Sequence, residues 1–364
     1  MESKSNFLNG SVVADRHGER GVSLVEVIFA MIGFLGVTAA IWGVLQVAQQ
    51  SRSVTNQKVQ LTKTVRLGLN LVGRDTYNAG YGYPASSTVV LPDNRIATLL
   101  GIPVDSDATR DTVPPIITGN DITLNTFNTA PGVRTDQVTF LFKDTAFNLV
   151  GAPAPPADWV PQPLSINGPT PGAGFSQIIP VSGSNAAASV NDLFLISGNL
   201  GSTIGVATSL VGADRIRFAD ADILGINLSG SADSIGGVTT PASIQKVQMV
   251  TYFVTADGTL MRRQYANAPP AIPVVGWVDE PLVYGVENFQ IQYVMNNGTL
   301  SDNPSAGPDG IPGNGDDVQN NLAQVRQVRY TISVRSTERD RNNQPYRETM
   351  TSTFSTRNLG YEAN

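Results

Sequence analysis

Glu26 is the only ionisable side chain between Val22 and Val47, in a run that reads VSLVEVIFAMIGFLGVTAAIWGVLQV. A carboxylate inside an apolar membrane helix costs about 2.5–3.5 kcal/mol unless it is paired, so its position there points to function. The partner that fits is an α-amino group. Cleavage after Gly21 creates one on Val22, and residues i and i+4 share a helical face. The same amine on a neighbouring subunit fits equally well, and that pairing would fix the axial register of stacked helices.

A second group of chemistry-bearing residues lies between Ser301 and Asp317. Asp302, Asn303, Asp309, Asn314, Asp316 and Asp317 supply hard oxygen ligands of the kind calcium prefers, in a Gly- and Pro-rich stretch able to wrap an ion. Their spacing departs from the EF-hand pattern, and the alternative is a solvated hairpin loop of turn formers. A third group is basic: Arg326, Arg329, Arg335, Arg339 and Arg341. A nucleic-acid patch and a solvated sheet face balanced by Glu338, Asp340 and Glu348 are the two readings. The net charge of −6 favours the second, because phosphate binding needs clustered cations in excess.

Much chemistry is excluded outright. The chain has no cysteine, and its one histidine, His17, precedes the cleavage point. A chain beginning at Val22 would therefore lack Ser-His-Asp and Cys-His triads, thiolate nucleophiles and Cys- or His-ligated metals. No phosphate-cradling GxxxxGK[ST] loop and no GxSxG elbow occur. The expectation is a protein that is not an enzyme and requires no cofactor, with calcium as the one candidate ion.

The elements that must position these groups start with the apolar run itself. Residues 22–48 are long enough to span a bilayer core of roughly 30 Å. The polar leader, residues 1–21, ends HGERG directly before that run, the reverse of a secretory signal whose cleavage site follows its apolar segment. Charge counting does not favour an outside head: Lys4, Arg16 and Arg20 face Arg52, Lys58, Lys63, Arg66 and Arg74 across the span. Beyond the span, Leu61, Val65, Leu69 and Val72 recur at helical spacing. An amphipathic extension over residues 49–80 follows, ending near Ala79-Gly80, with Pro84 preventing resumption.

The rest reads as β. Gln137–Phe142, Asp192–Ser197, Val247–Val254 and Thr259–Gln264 are strand candidates, the last two joined through Asp257-Gly258. Phe289, Ile291 and Tyr293 alternate with Gln290 and Gln292, and Val328, Tyr330, Ile332 and Val334 alternate with Arg329, Thr331, Ser333 and Arg335. These are antiparallel strands with one wet face. Gly151–Gly174, with seven prolines, reads as an extended surface loop, and Gly198–Gly237 as Gly/Ser/Ala-rich chain with small strand fragments. Tyr77, Tyr81 and Tyr83 read as helix–sheet packing or interface anchors. The fold class expected is α+β: a long N-terminal transmembrane and amphipathic helix on an antiparallel β head, with a loop-rich part at residues 81–240 and a C-terminal part at residues 241–364.

The string GVSLVEVIFAM resembles the prepilin motif of type IV pilins and type II secretion pseudopilins, over about 30 residues. The resemblance implies cleavage between Gly21 and Val22, N-methylation of Val22, and Glu26 as the assembly glutamate; Val22 replaces the usual Phe or Met. The runs VQMVTYFVTADGTLMRRQY, PLVYGVENFQIQYVMNNG and VRQVRYTISVRS are similar to PilW-type minor pilins and less so to J-type pseudopilins. The implied protein is a structural subunit in type IV pilus assembly or initiation, single-pass in the inner membrane with a periplasmic head, then on the cell surface. Its implied partners are other pilins, the prepilin peptidase and the inner-membrane assembly platform. The alternatives are a J-type pseudopilin and a pilus-tip adhesin or DNA-uptake subunit, with Ser86–Thr240 as the ligand-binding insertion.

Overall fold

The computed structural model describes residues 21–84, 89–104, 110–144, 164–166, 170–172, 175–178, 188–198, 201–213, 215–227, 242–266, 276–304, 325–339, 343–356 and 359. It has a long N-terminal helix, α1 (Leu24–Asn78), and a mostly antiparallel β domain, so the class is α+β. The chain divides into two compact units, residues 1–56 and 57–364, and α1 contributes to both.

α1 begins where the Ser23 carbonyl accepts the amides of Glu26 (2.9 Å) and Val27 (3.2 Å). It ends at Asn78, one residue short of the Ala79-Gly80 stop read from sequence, and Gly80 takes the left-handed conformation (φ 77°) that a side chain would resist. The Gly80 amide then donates to Leu141, tying the turn to the sheet.

In the second unit the Ala242–Val254 strand is the axis. Its first part pairs with Leu164–Ile166 and Leu193–Gly198, and its second with Arg134–Lys143 and Thr259–Tyr265. Thr259–Tyr265 turns back from it at Asp257-Gly258, where Gly258 has φ 81°, and then pairs with Trp277–Tyr284. Strands from residues 81–240 and from 241–364 thus share one sheet. A separate four-stranded sheet runs Leu300–Ser301, Val286–Met295, Val325–Arg339, Pro345–Ser355, all neighbours antiparallel. Within the Pro-rich stretch, Leu164–Ile166 and Thr170–Gly172 are short strands rather than loop, because each meets a neighbouring strand with free pairing groups. Gly201–Val206, Ser209–Val211 and Arg215–Ala219 are the small strands expected in the Gly/Ser/Ala-rich chain.

Period-2 alternation sorts residues between two cores. Val138, Phe140, Val250, Tyr252 and Val254 join Phe289, Ile291, Tyr293, Val328, Tyr330 and Ile332 in the core under α1. Leu141, Val247 and Met249 point the other way, into a second core with Ile96, Leu195 and Ile204. The α1 stripe read from sequence is in place: Val65, Leu69 and Val72 are buried, and Leu61 packs at its margin. Of the tyrosines near its end, Tyr81 packs on the first core, Tyr83 is half-buried against the second and donates to the Val113 carbonyl, and Tyr77 stays exposed.

Two glycines let α1 approach. A Cβ on Gly68 would meet the Val283 side chain at 2.7 Å, and one on Gly73 would run into the Phe354 ring. Ala at a helix interior gains about 1 kcal/mol over Gly, whereas overpacking costs about 1–3 kcal/mol. Gly73→Ala is therefore expected to lower the denaturation midpoint in the native background and to raise it in Phe354→Ala. Equal effects in both backgrounds would disprove the close approach.

Candidate functional site

Of the residues singled out at the N-terminus, Glu26 lies on α1, while Gly21 and Val22 precede its first residue, Leu24. Val22 lines a shallow groove with Glu26, Ala30, Met31, Phe34 and Leu35 of α1. Glu26 occupies the first turn, where the amide end of the helix dipole favours a carboxylate. Residues 21–53 are exposed except Thr38, whose hydroxyl donates to the Phe34 carbonyl. Phe29, Phe34 and Trp42 are among the large apolar side chains left open. α1 is long and apolar enough to cross a membrane, and the apolar window is not buried within the protein.

The other end of α1 is fastened by polar groups that sequence reasoning did not single out. Asp75 is 1% exposed. Its Oδ2 accepts from the Tyr252 hydroxyl (2.7 Å) and from Arg262 Nε (3.1 Å), and its Oδ1 from Arg74 Nε (3.0 Å). Burial and the Asp75 charge both push the Tyr252 hydroxyl well above its ordinary pKa, so it remains a donor. Burial works against the Arg262 charge, but Asp75 and Tyr252 hold its pKa above the usual value. At the next residue, Thr76 gives its proton to the Val72 carbonyl, which leaves Tyr330, 2.6 Å away, as donor to Thr76.

Asp136 bridges strands. Its Oδ1 accepts the Asp121 amide (2.9 Å) at an irregularity between Gly119 and Thr123, and its Oδ2 accepts the Ile291 amide (2.7 Å). Burial is the main cause that raises its pKa to about 6, against the two amides, with Asp121 and Asp302 adding like charge. Glu287, 6% exposed, takes Arg347 through both guanidinium arms (2.7 and 3.2 Å) and Arg335 at 3.4 Å. Arg335 also donates to the Phe127 carbonyl (2.8 Å) and lies over the Phe127 ring.

That arrangement revises the reading of the arginine cluster. Arg335 is a half-buried structural cation held by Glu287, not a solvated side chain balanced by Glu348; Glu348 instead accepts from Thr62 and Tyr346. Arg341 lies outside the described residues. Of the oxygen ligands, Asp302 accepts from Gln292 and Asn303 from Thr118. Asp309, Asn314, Asp316 and Asp317 lie outside the described residues. Among the described residues no group of three or more acidic or histidine side chains converges in a metal-holding arrangement. No family model, curated protein or solved structure matches the chain.

Removing Asp75 leaves Arg262 buried without its carboxylate, and breaking one side of a buried ion pair costs about 3–5 kcal/mol. Tyr252→Phe removes one hydrogen bond to a charge, worth about 1.5–3 kcal/mol. Denaturant titration of the full chain in detergent, read by far-ultraviolet dichroism, is expected to rank Asp75→Ala below Tyr252→Phe below native. The reverse order would refute the junction's energetics.

Asp136 makes a separate pH prediction. Its folded pKa lies above the unfolded value, so the folded state takes up the proton first and the stability due to protonation is lost as pH rises through about 6. Relative to Asp136→Asn, the native chain is expected to gain up to about 3 kcal/mol as pH falls from 7 to 4. Parallel stability curves for the two proteins across that window would contradict it.

Proposed function

We propose that this chain is a minor pilin of the type IV pilin family, a structural subunit that enters a filament or its initiating tip through α1. One observation carries the reading: Gly21, an apolar span and a first-turn carboxylate at Glu26 coincide in register at the start of a helix whose apolar half has no protein cover. A span of that kind is stable only in lipid or against other helices. Glu26 supplies what a purely apolar span lacks, a charge that selects a single register. The β domain on residues 57–78 of α1 supports the reading further, since it gives the helix a rigid, water-facing load.

In mechanism, a prepilin peptidase cuts after Gly21 and frees the Val22 amine, which is then methylated. The precursor waits in the inner membrane with its β domain outside the cytoplasm. On assembly, Glu26 pairs with a Val22 amine while apolar side chains exchange lipid for neighbouring helices. The runs PLVYGVENFQIQYVMNNG and VRQVRYTISVRS, similar in sequence to PilW-type minor pilins, support a minor rather than a major subunit in this reading.

Glu26→Ala keeps the apolar span and removes the register charge. The variant is expected in normal amounts in the membrane fraction but reduced at least tenfold in sheared filaments. Native-level incorporation would refute the assembly role of Glu26.

A further inference from the structure

α1 presents a second, unused face in the unit beyond residue 56. Val65, Leu69 and Val72 point into the core, but Val59, Lys63, Arg66, Leu67, Asn70 and Arg74 fall within an arc of roughly 100° on the opposite side. All six are exposed, Leu67 at 72% and Val59 at 46%. A helix that served only to dock this β domain needs one apolar face, and Leu67 on the far side adds nothing to that docking. The charge along the helix is equally one-sided. Between Glu26 and Asp75 the sequence has Arg52, Lys58, Lys63, Arg66 and Arg74 and no acidic residue at all.

The complement is in the same chain. Residues 79–364 hold 16 Lys and Arg against 25 Asp and Glu, a net charge of −9. We infer that the Val59–Arg74 face of one copy docks on the acidic β domain of a second copy, with Leu67 as the apolar anchor and Lys63 and Arg66 as the flanking cations. This rests on the filament reading above and specifies one of its subunit contacts. Two such basic faces would repel each other, so the contact is helix to β domain and not face to face. A contact between unlike surfaces leaves each copy with a free face of each kind, so it extends beyond a pair, into a ring or along a filament. Arg74 stays on its own Asp75 and contributes at the margin.

Lys63 reports on the contact. Full-length copies grown in light and heavy nitrogen are mixed in one membrane preparation and treated with a carbodiimide, which joins a lysine amine directly to a carboxylate. The expected products are mixed-isotope peptides joining Lys63 to Asp or Glu beyond residue 78. Arg66→Glu/Leu67→Ser, which keeps Lys63 and alters only exposed side chains, is expected to lose at least nine-tenths of them with an unchanged melting curve. Lys63 joined only within its own copy, or to lipid, or joined equally in the double variant, overturns the proposal. The filament reading fails separately: Glu26→Ala blocking assembly while Arg66→Glu/Leu67→Ser assembles normally removes this contact and leaves the filament. Mixed-isotope products without any filament would keep the contact and remove the filament.

Discussion

A carboxylate taken out of water has to be given donors or it does not stay charged, and Asp75 sits at the point where α1 meets the β domain. Arg74, Tyr252 and Arg262 supply those donors from the helix itself and from two adjacent strands. Because Tyr252 lies on the axial strand, the same residue that satisfies Asp75 also packs edge-on against Phe140 and fills the core under the helix. Thr76 and Tyr330 repeat the device on the other sheet. The helix is therefore keyed to two sheets at adjacent residues, and Gly68 and Gly73 bring its backbone near enough for the keys to reach.

The first half of the helix has the opposite problem. Its side chains are apolar and uncovered, so its stability depends on what surrounds the protein and not on the protein. The two halves of one element thus answer to different solvents, and Glu26 and Asp75, the only acids in α1, mark the two ends. Asp75 is spent on holding the chain's own β domain. Glu26 is left for something outside it.

Local patterns carried the sequence reading a long way. The 3.6-residue recurrence of Val65, Leu69 and Val72, the Asp257-Gly258 turn and the alternation in ENFQIQY each encode their surroundings within a few residues, so they were legible. The fastenings were not. Tyr252 and Arg262 lie 177 and 187 positions from Asp75, and Glu287 meets Arg335 and Arg347 from another strand. A lone Asp or Glu has the same local appearance whether it is solvated or buried against a distant cation. Asp136 was hidden for a second reason: its partners are backbone amides, which carry no residue type. The proline-rich stretch misled because Leu164–Ile166 and Thr170–Gly172 are stabilised by the strands they join and not by their own propensity.

Peptide mass spectrometry of the protein recovered from sheared surface filaments tests the central claim most directly. The account predicts an N-terminal peptide that begins at Val22 and carries one methyl group on its amine. A chain that keeps its leader, or one that begins beyond Val47, would contradict it.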